Sequence, residues 1–364
     1  MHRQQKVKRE KEILFMSETY NIKFDRDMRK GYIATSLVAP HLTNEYSFTG
    51  AKTVKVSAPM TVPMNDYTRS GANRYGTPTE LKDAVQELTL SQDKSFALTI
   101  DKGNSQDKND TESFAKEMLS LQIAERAIPE FDRYALNVLA HKAGTISSAG
   151  EELTKANIVD RITDGTVYLD DAEVAQNGRT LFVNAAGYKQ LKLAEEFTHV
   201  DKIANMALTK GVVGKFDNMT VVKVPKGRWP EGVNFIIVQK NCATAPTNIH
   251  DAKVHKDPPG ISGNLLEGRN YYDCFVIGSR AKGVYAEIDA AKASMCETPV
   301  ISAAGAISGG GNGVQYRFTL DGSDPRYSHS AVTGQPSGVE SGMTVKAYAF
   351  KEGAFDSAVA EKTI

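Results

Sequence analysis

The strongest pattern in this chain is a helical one between residues 110 and 142, and its length constrains everything around it. Phe114, Met118, Leu121, Ala124 and Ile128 recur at steps of three and four, the spacing that lines side chains along one face of an α-helix. Phe131, Tyr134, Val138 and Leu139 carry the stripe on, and Gly144 stops it. Asn109, with Glu112 three residues later, predicts a capping box at the start. Pro129 lies inside the pattern and is predicted to kink or break the helix, because it has no N–H and its ring collides with the preceding turn. At about 1.5 Å per residue the element is about 50 Å long. That is long for a compact domain and predicts an elongated subunit.

Ahead of this helix, residues 17–45 show no sustained period and read as an extended arm. Val54 and Val56 alternate with Lys55, a strand signal. Pro59, Pro63, Gly71, Gly76 and Pro78 punctuate a long polar connection. A second strand-like stretch follows, with Val85, Leu88, Leu90, Phe96, Leu98 and Ile100. The pattern predicts an extended hairpin over residues 46–106 with little of its own to pack on, so that it needs a partner surface.

Residues 150–292 alternate helical and strand signals, an α+β pattern. Strands are predicted at Arg179 to Asn184, Met219 to Val224, Val233 to Val238, Tyr271 to Ile277 and Lys282 to Ile288, and a helix at Ala185 to Phe197. The polar stretch from Asn248 to Gly263, with Pro258-Pro259-Gly260, reads as a loop. A boundary falls near Cys296-Glu297-Thr298-Pro299. Beyond it Val314, Tyr316, Phe318 and Leu320 alternate with polar residues, and Asp321-Gly322-Ser323-Asp324-Pro325 forms a turn cluster. Residues 296–364 are predicted to form a small all-β sandwich whose limited core leans on the main body.

Composition excludes several function classes. Lys and Arg total 44, as do Asp and Glu, which argues against a dedicated nucleic-acid binder and suits dense packing against like copies. No apolar run approaches the roughly 18 residues of a membrane span, and Ile13 to Met16 is too short for a signal-peptide core. The cysteines at 242, 274 and 296 are far apart and read as reduced thiols of a cytosolic protein. Residues 1–15 are either a disordered basic arm or a translated ribosome-binding stretch ahead of a true start at Met16; intact mass of the native chain separates the two.

No chemistry-bearing motif is complete. His250 and His255, with Asp251 and Asp257 nearby, lack the spacing of a metal site. Gly214-Lys215 has Thr209 and Phe216 where a phosphate-binding loop needs glycine and a hydroxyl. No Gly-x-Ser-x-Gly elbow is present. We therefore expect no catalytic residues, no metal and no cofactor. The candidate contact residues are charged ones. Glu125, Arg126, Glu130, Asp132 and Arg133 flank Pro129, either as a solvated face or as intersubunit ion pairs. Lys52, Lys55, Arg69 and Arg74 on the hairpin form either a solvated tip or a grip on a neighbour.

Residues 92–140, from Gln92-Asp93-Lys94 through Ile100-Asp101-Lys102 to Ile128-Pro129-Glu130-Phe131-Asp132, resemble the segment joining the extended loop to the spine helix in major capsid proteins of tailed phages of the Hong Kong 97 type. Gly178 to Asn184 with the Tyr188 helix, and Gly211 to Pro225, resemble later stretches of the same family, and the order of elements agrees over residues 17–292. The resemblance implies a shell subunit with an N-terminal arm (1–45), an extended loop (46–106) and a spine helix with peripheral and axial domains (107–292). Hexamers and pentamers would close into an icosahedral head around double-stranded DNA, held non-specifically, with scaffolding and portal proteins as further partners. Localisation would be the virion, after assembly in the bacterial cytoplasm. Tyr316 to Val332 and Thr344 to Glu361 resemble the immunoglobulin-like C-terminal module of chitobiase-type glycosidases. In a capsid subunit that module is expected to project outward, as an adhesin for host-surface glycans or as a ligand-free spacer. The alternatives are an encapsulin-like compartment shell and, from another class, a carbohydrate-binding surface protein led by the tail.

Overall fold

The computed structural model describes residues 36–46, 48, 52–59, 64–71, 73–76, 83–101, 111–194, 212–256, 258–260 and 262–364, without the side chains at 111–116, 212–213 and 248–251. The expected arm is therefore described only from Ser36 on. Met16, residues 77–82 of the hairpin, Asn109 of the expected cap, residues 195–197 of the helix expected after Asn184, Asp257 and Gly211 lie outside the described residues.

The chain runs through β1 (Thr53–Pro59), β2 (Asp83–Thr89), β3 (Gln92–Asp101), α1 (Thr111–Gln122), a π-helical turn (Ile123–Ala127), α2 (Ile128–His141) and β4 (Thr145–Ala149). Then come α3 (Ile158–Asp171), β5 (Arg179–Asn184), α4 (Ala185–Leu193), β6 (Val212–Phe216), β7 (Met219–Val224), β8 (Val233–Gln239) and β9 (Ala243–Thr244). β10 (Thr247–Lys256), β11 (Gly263–Tyr272), β12 (Phe275–Val276) and β13 (Val284–Asp289) complete the main body. The tail holds β14 (Pro299–Ile301), β15 (Ile307–Gly309), β16 (Gln315–Thr319), β17 (Val332–Thr333), β18 (Thr344–Phe350) and β19 (Ala360–Thr363).

The helix from α1 to α2 is about 46 Å long at about 1.5 Å per residue. It answers Pro129 with a π turn rather than a break: the Ile128 N–H bonds the Ile123 carbonyl five residues back. The wider turn accommodates the missing donor and the ring.

α2 packs on one face of a six-stranded mixed sheet of order β4-β13-β8-β5-β7-β6. Alternation along each strand sends side chains to opposite faces. Phe182, Ile236, Val238 and Ala286 meet Ala135, Leu136, Leu139 and Ala140 of α2. Leu181, Val183, Phe235, Ile237 and Tyr285 meet Ile158, Ile162 and Leu169 of α3 and Leu191 of α4. Covered on both faces, β8 is buried at every position, which is why it reads as an unbroken apolar run.

Three stretches depart from expectation, and α3 and β4 lie where no element is expected. Val85 to Ile100 is two strands: β2 pairs with β1, and β3 pairs with β11 in a three-stranded sheet of order β10-β11-β3. The break falls at Ser91, whose N–H donates to Asp273 Oδ2 at 2.8 Å. The stretch expected as a polar loop contains β10, a full edge strand paired with β11. Its bonds come from the backbone ladder, and a solvated edge strand carries polar side chains without penalty, so composition concealed it. The strand expected at Tyr271 to Ile277 is likewise divided, at Asp273-Cys274, between β11 and β12. Within the three-stranded sheet Phe96 lies over Gly268; a Cβ there would come within 2.3 Å of the ring.

The tail folds as a two-stranded sheet, β14-β15, and a four-stranded sheet of order β17-β16-β18-β19. Ile301, Ile307, Phe318, Val345 and Ala347 form its own small core.

Candidate functional site

The charged residues singled out from the sequence fall into three settings. Asp132 is fully buried inside the subunit. It sits three and four residues before Ala135 and Leu136, so the helical period carries it onto the apolar stripe beneath the sheet. There its carboxylate accepts from Ser36 Oγ (2.7 Å), the Leu37 N–H (3.0 Å) and Arg228 Nη1 (2.7 Å). One buried charge thereby ties the segment before the hairpin, the long helix and the turn after β7 together, with its lone pairs satisfied. Asp132 differs in this from its neighbours. Glu125 and Arg126 stand exposed on the π turn, and Arg133 is exposed one turn further on. Glu130 lies 3.7 Å from Lys94 of β3, with both side chains about half exposed, a contact worth little in isolation.

On the hairpin, Lys55 of β1 pairs across the strands with Glu87 of β2 at 2.6 Å. Its hydrogen bond is the main reason the half-buried Glu87 carboxyl lies below its ordinary value. Lys52, Arg69 and Arg74 are exposed, and the Arg74 Nε bonds the Gly71 carbonyl at 3.3 Å. Sequence reasoning passed over the apolar residues among them. Met64 is 99% and Tyr75 85% exposed, and Tyr75 meets Tyr67 edge to face at 5.0 Å. These large apolar side chains are exposed on the same turn-rich segment that carries Arg69 and Arg74. The signal was present in Met64, Tyr67 and Tyr75 as large apolar residues within a turn-rich segment.

A groove of about 610 Å³ opens between the π turn and the three-stranded sheet, lined by Ile123, Ala127, Phe131, Phe96, Ala252 and Asn270 among others. The Asn270 Oδ1 is buried with no hydrogen-bond partner.

Several other buried groups have fixed partners. Asp273 accepts from the Ser91 N–H, Tyr134 Oη and the Cys274 N–H at 2.7–2.8 Å. Burial, aided by that carboxylate, pushes the Tyr134 hydroxyl up to about 12. Glu287 is held by Arg161 and Asn234, yet burial still raises its carboxyl above the ordinary value. Cys242, Cys274 and Cys296 are buried and free, and burial pushes the Cys242 thiol up to about 11, away from the thiolate form that reacts. Among the described residues no group of three or more His, Cys, Asp or Glu is placed to hold a metal. His255 instead contacts Glu267 at 3.1 Å on the surface; the side chains of His250 and Asp251 lie outside the description. No described helix is long and apolar enough to cross a membrane.

Solved structures share this architecture. A chain from Mycobacterium phage Che8 aligns with TM-score 0.55 at 17% identity, over 70% of this chain and 91% of that one. The capsid structure of cyanophage P-SCSP1u aligns at 0.52 and 11%, over 66% and 84%. The mature capsid of bacteriophage PhiM1 aligns at 0.50 and 12%, over 65% and 82%. The chain therefore has a mixed α/β fold shared with phage capsid proteins. No family model matches the chain, and no curated protein matches it.

Proposed function

We propose that this chain is the major capsid protein of a tailed phage or prophage, a structural subunit of the Hong Kong 97 type rather than an enzyme. The observation that carries the reading is the shared fold, which spans about two thirds of this chain and more than four fifths of each capsid chain it matches. In this reading β1 and β2 are the base of the extended loop and α1–α2 is the spine helix. The tail is an immunoglobulin-like module. Met64, Tyr67 and Tyr75, flanked by Arg69 and Arg74, reach a neighbouring copy, and Lys52, Glu125, Arg126, Glu130 and Arg133 supply charged contacts at the rim of such interfaces. Many weak, repeated contacts of this kind suffice to close hexamers and pentamers into an icosahedral head, because each adds to the avidity of the rest. Equal numbers of acidic and basic residues suit an inner face that tolerates packed DNA without gripping it. Scaffolding and portal proteins complete the assembly in the host cytoplasm.

Negative-stain electron microscopy of the purified chain, alone and with the scaffold encoded beside it, tests the reading. Closed shells, sheets or hexameric rings are expected. A monomer under both conditions overturns it.

A further inference from the structure

We propose that the C-terminal β-domain is a brace, holding the base of the hairpin against the end of the long helix through a latch made by Arg326, Tyr327 and His329. α2 ends at His141, and the carbonyls of the turn that follows it, at Lys142, Ala143 and Gly144, need partners of their own. Here the partners come from the tail, some 180 residues away in sequence. Arg326 Nη1 donates to the carbonyls of Ala143 (3.2 Å) and Gly144 (2.9 Å), and Tyr327 Oη donates to that of Lys142 (2.8 Å). Cationic donors are favoured at this end of a helix. The guanidinium is pre-oriented by Asp324, which accepts from its Nε at 3.1 Å and its Nη2 at 2.8 Å. Around this point Phe355 stacks on His141 with ring centroids 4.0 Å apart, and Lys142 pairs with Asp356 at 3.0 Å.

The same loop reaches the hairpin two residues later. The His329 N–H donates to the Val85 carbonyl of β2 at 2.9 Å. His329 Nδ1 lies 3.2 Å from Glu87 Oε2, whose other oxygen is held by Lys55 of β1. One short stretch, from Asp324 to His329, thus touches the turn after the helix and β2 of the hairpin, and through Glu87 it is linked to Lys55 of β1. Between the hairpin base and the tail remains a groove of about 330 Å³, lined by Val56, Ala58, Val85, Gln86, Gly322 and Tyr327. On the hairpin side the junction is therefore joined by polar contacts at its edge, whereas Phe355 and Tyr327 seat the tail on the body's apolar core. Such a joint sets an angle and can open without unfolding either side.

A tail that leans on the main body in this way fixes the direction in which the hairpin leaves the body. The consequence for shell geometry rests on the capsid reading; the brace itself does not.

Hydrogen exchange on the full-length, unassembled protein tests it. Arg326→Ala is expected to speed exchange about tenfold to hundredfold in β1, β2 and residues 142–146, the range set by losing hydrogen bonds to a charged group, while β16 and β18 stay protected. Tyr327→Phe keeps the ring and removes one donor; it is expected to give a smaller change at the same sites. Hairpin exchange at the wild-type rate in both variants overturns the brace, as does deprotection of β16 and β18 with no change in the hairpin. If the wild-type chain forms shells, Arg326→Ala is expected to broaden their diameters. If the wild type forms none, the capsid reading fails and the exchange result still decides the brace.

Discussion

The central sheet and the hairpin are built from the same kind of strand but finish their folding in different ways. Each long strand of the sheet is covered on both faces, and the clusters on its two sides contain Phe182 and Phe235 at zero exposure. In β1 no residue is fully buried; exposed and half-buried positions simply alternate. The hairpin stands on a small cluster of Phe48, Leu88, Leu90 and Ile277, on cross-strand contacts such as Lys55 to Glu87 and Thr53 to Thr89, and on the bond from His329. Burial of apolar area stabilises the sheet within one chain. The hairpin has little of it, and two of its large apolar side chains, Met64 and Tyr75, are exposed. One region is completed by its own sequence; on the proposed reading, the other is completed by contact with a neighbour.

That contrast can be broken by experiment. The largest effect is expected from Asp132→Ala, which leaves Arg228 buried without its carboxylate and costs about 3–5 kcal/mol in urea unfolding. The double change Asp132→Leu with Arg228→Met is expected to recover most of it. A loss below about 1 kcal/mol would mean that the helix is not anchored to the body through this pair. Leu88→Ala comes next, at about 2–5 kcal/mol, but felt as faster hydrogen exchange in β1 and β2 with little movement of the sheet's unfolding midpoint. Equal loss in both would erase the distinction between the two regions. Tyr75→Ser is expected to change folding stability by less than about 0.5 kcal/mol while reducing the yield of assembled particles in electron microscopy. Unchanged assembly removes the tip from the interface.

The smallest effect concerns the tail. Burial alone would raise the Asp321 carboxyl, but donors from Ser323 and Ser330 more than offset it and leave it below its ordinary value. A depressed folded-state value means the ionised group contributes stability above the unfolded value near about 4. That contribution is lost as pH falls through the folded value. Acid titration followed by the exchange of β16 and β18 is expected to show this loss, and Asp321→Asn to flatten it.

Much of the frame was legible because it is local. The long helix follows from its apolar stripe, and β5, β7 and β8 from short runs of branched and aromatic residues. The stripe also contained Asp132, but a charge at a core position is recognised as buried only when its partner is known, and Arg228 is 96 residues away. β10 escaped because a backbone ladder places no demand on side chains at a solvated edge. The division between β2 and β3 escaped because its cause, Asp273, lies 182 residues from Ser91.

The sequence by itself therefore determined the long helix, the helix after Asn184, the buried strands β5, β7 and β8, and the strand character of the tail. Each of these depends on residue spacing within a few turns or strands. Only the tertiary structure decided that Pro129 is absorbed by a π turn, that Asp132 is an internal anchor among otherwise exposed charges, and that Arg326 and Tyr327 bond the turn after a helix far away in the chain. Those outcomes depend on pairs of groups brought together across the fold, where a charge or a carbonyl must find its partner in space, and nothing in the local pattern of either partner specifies the other.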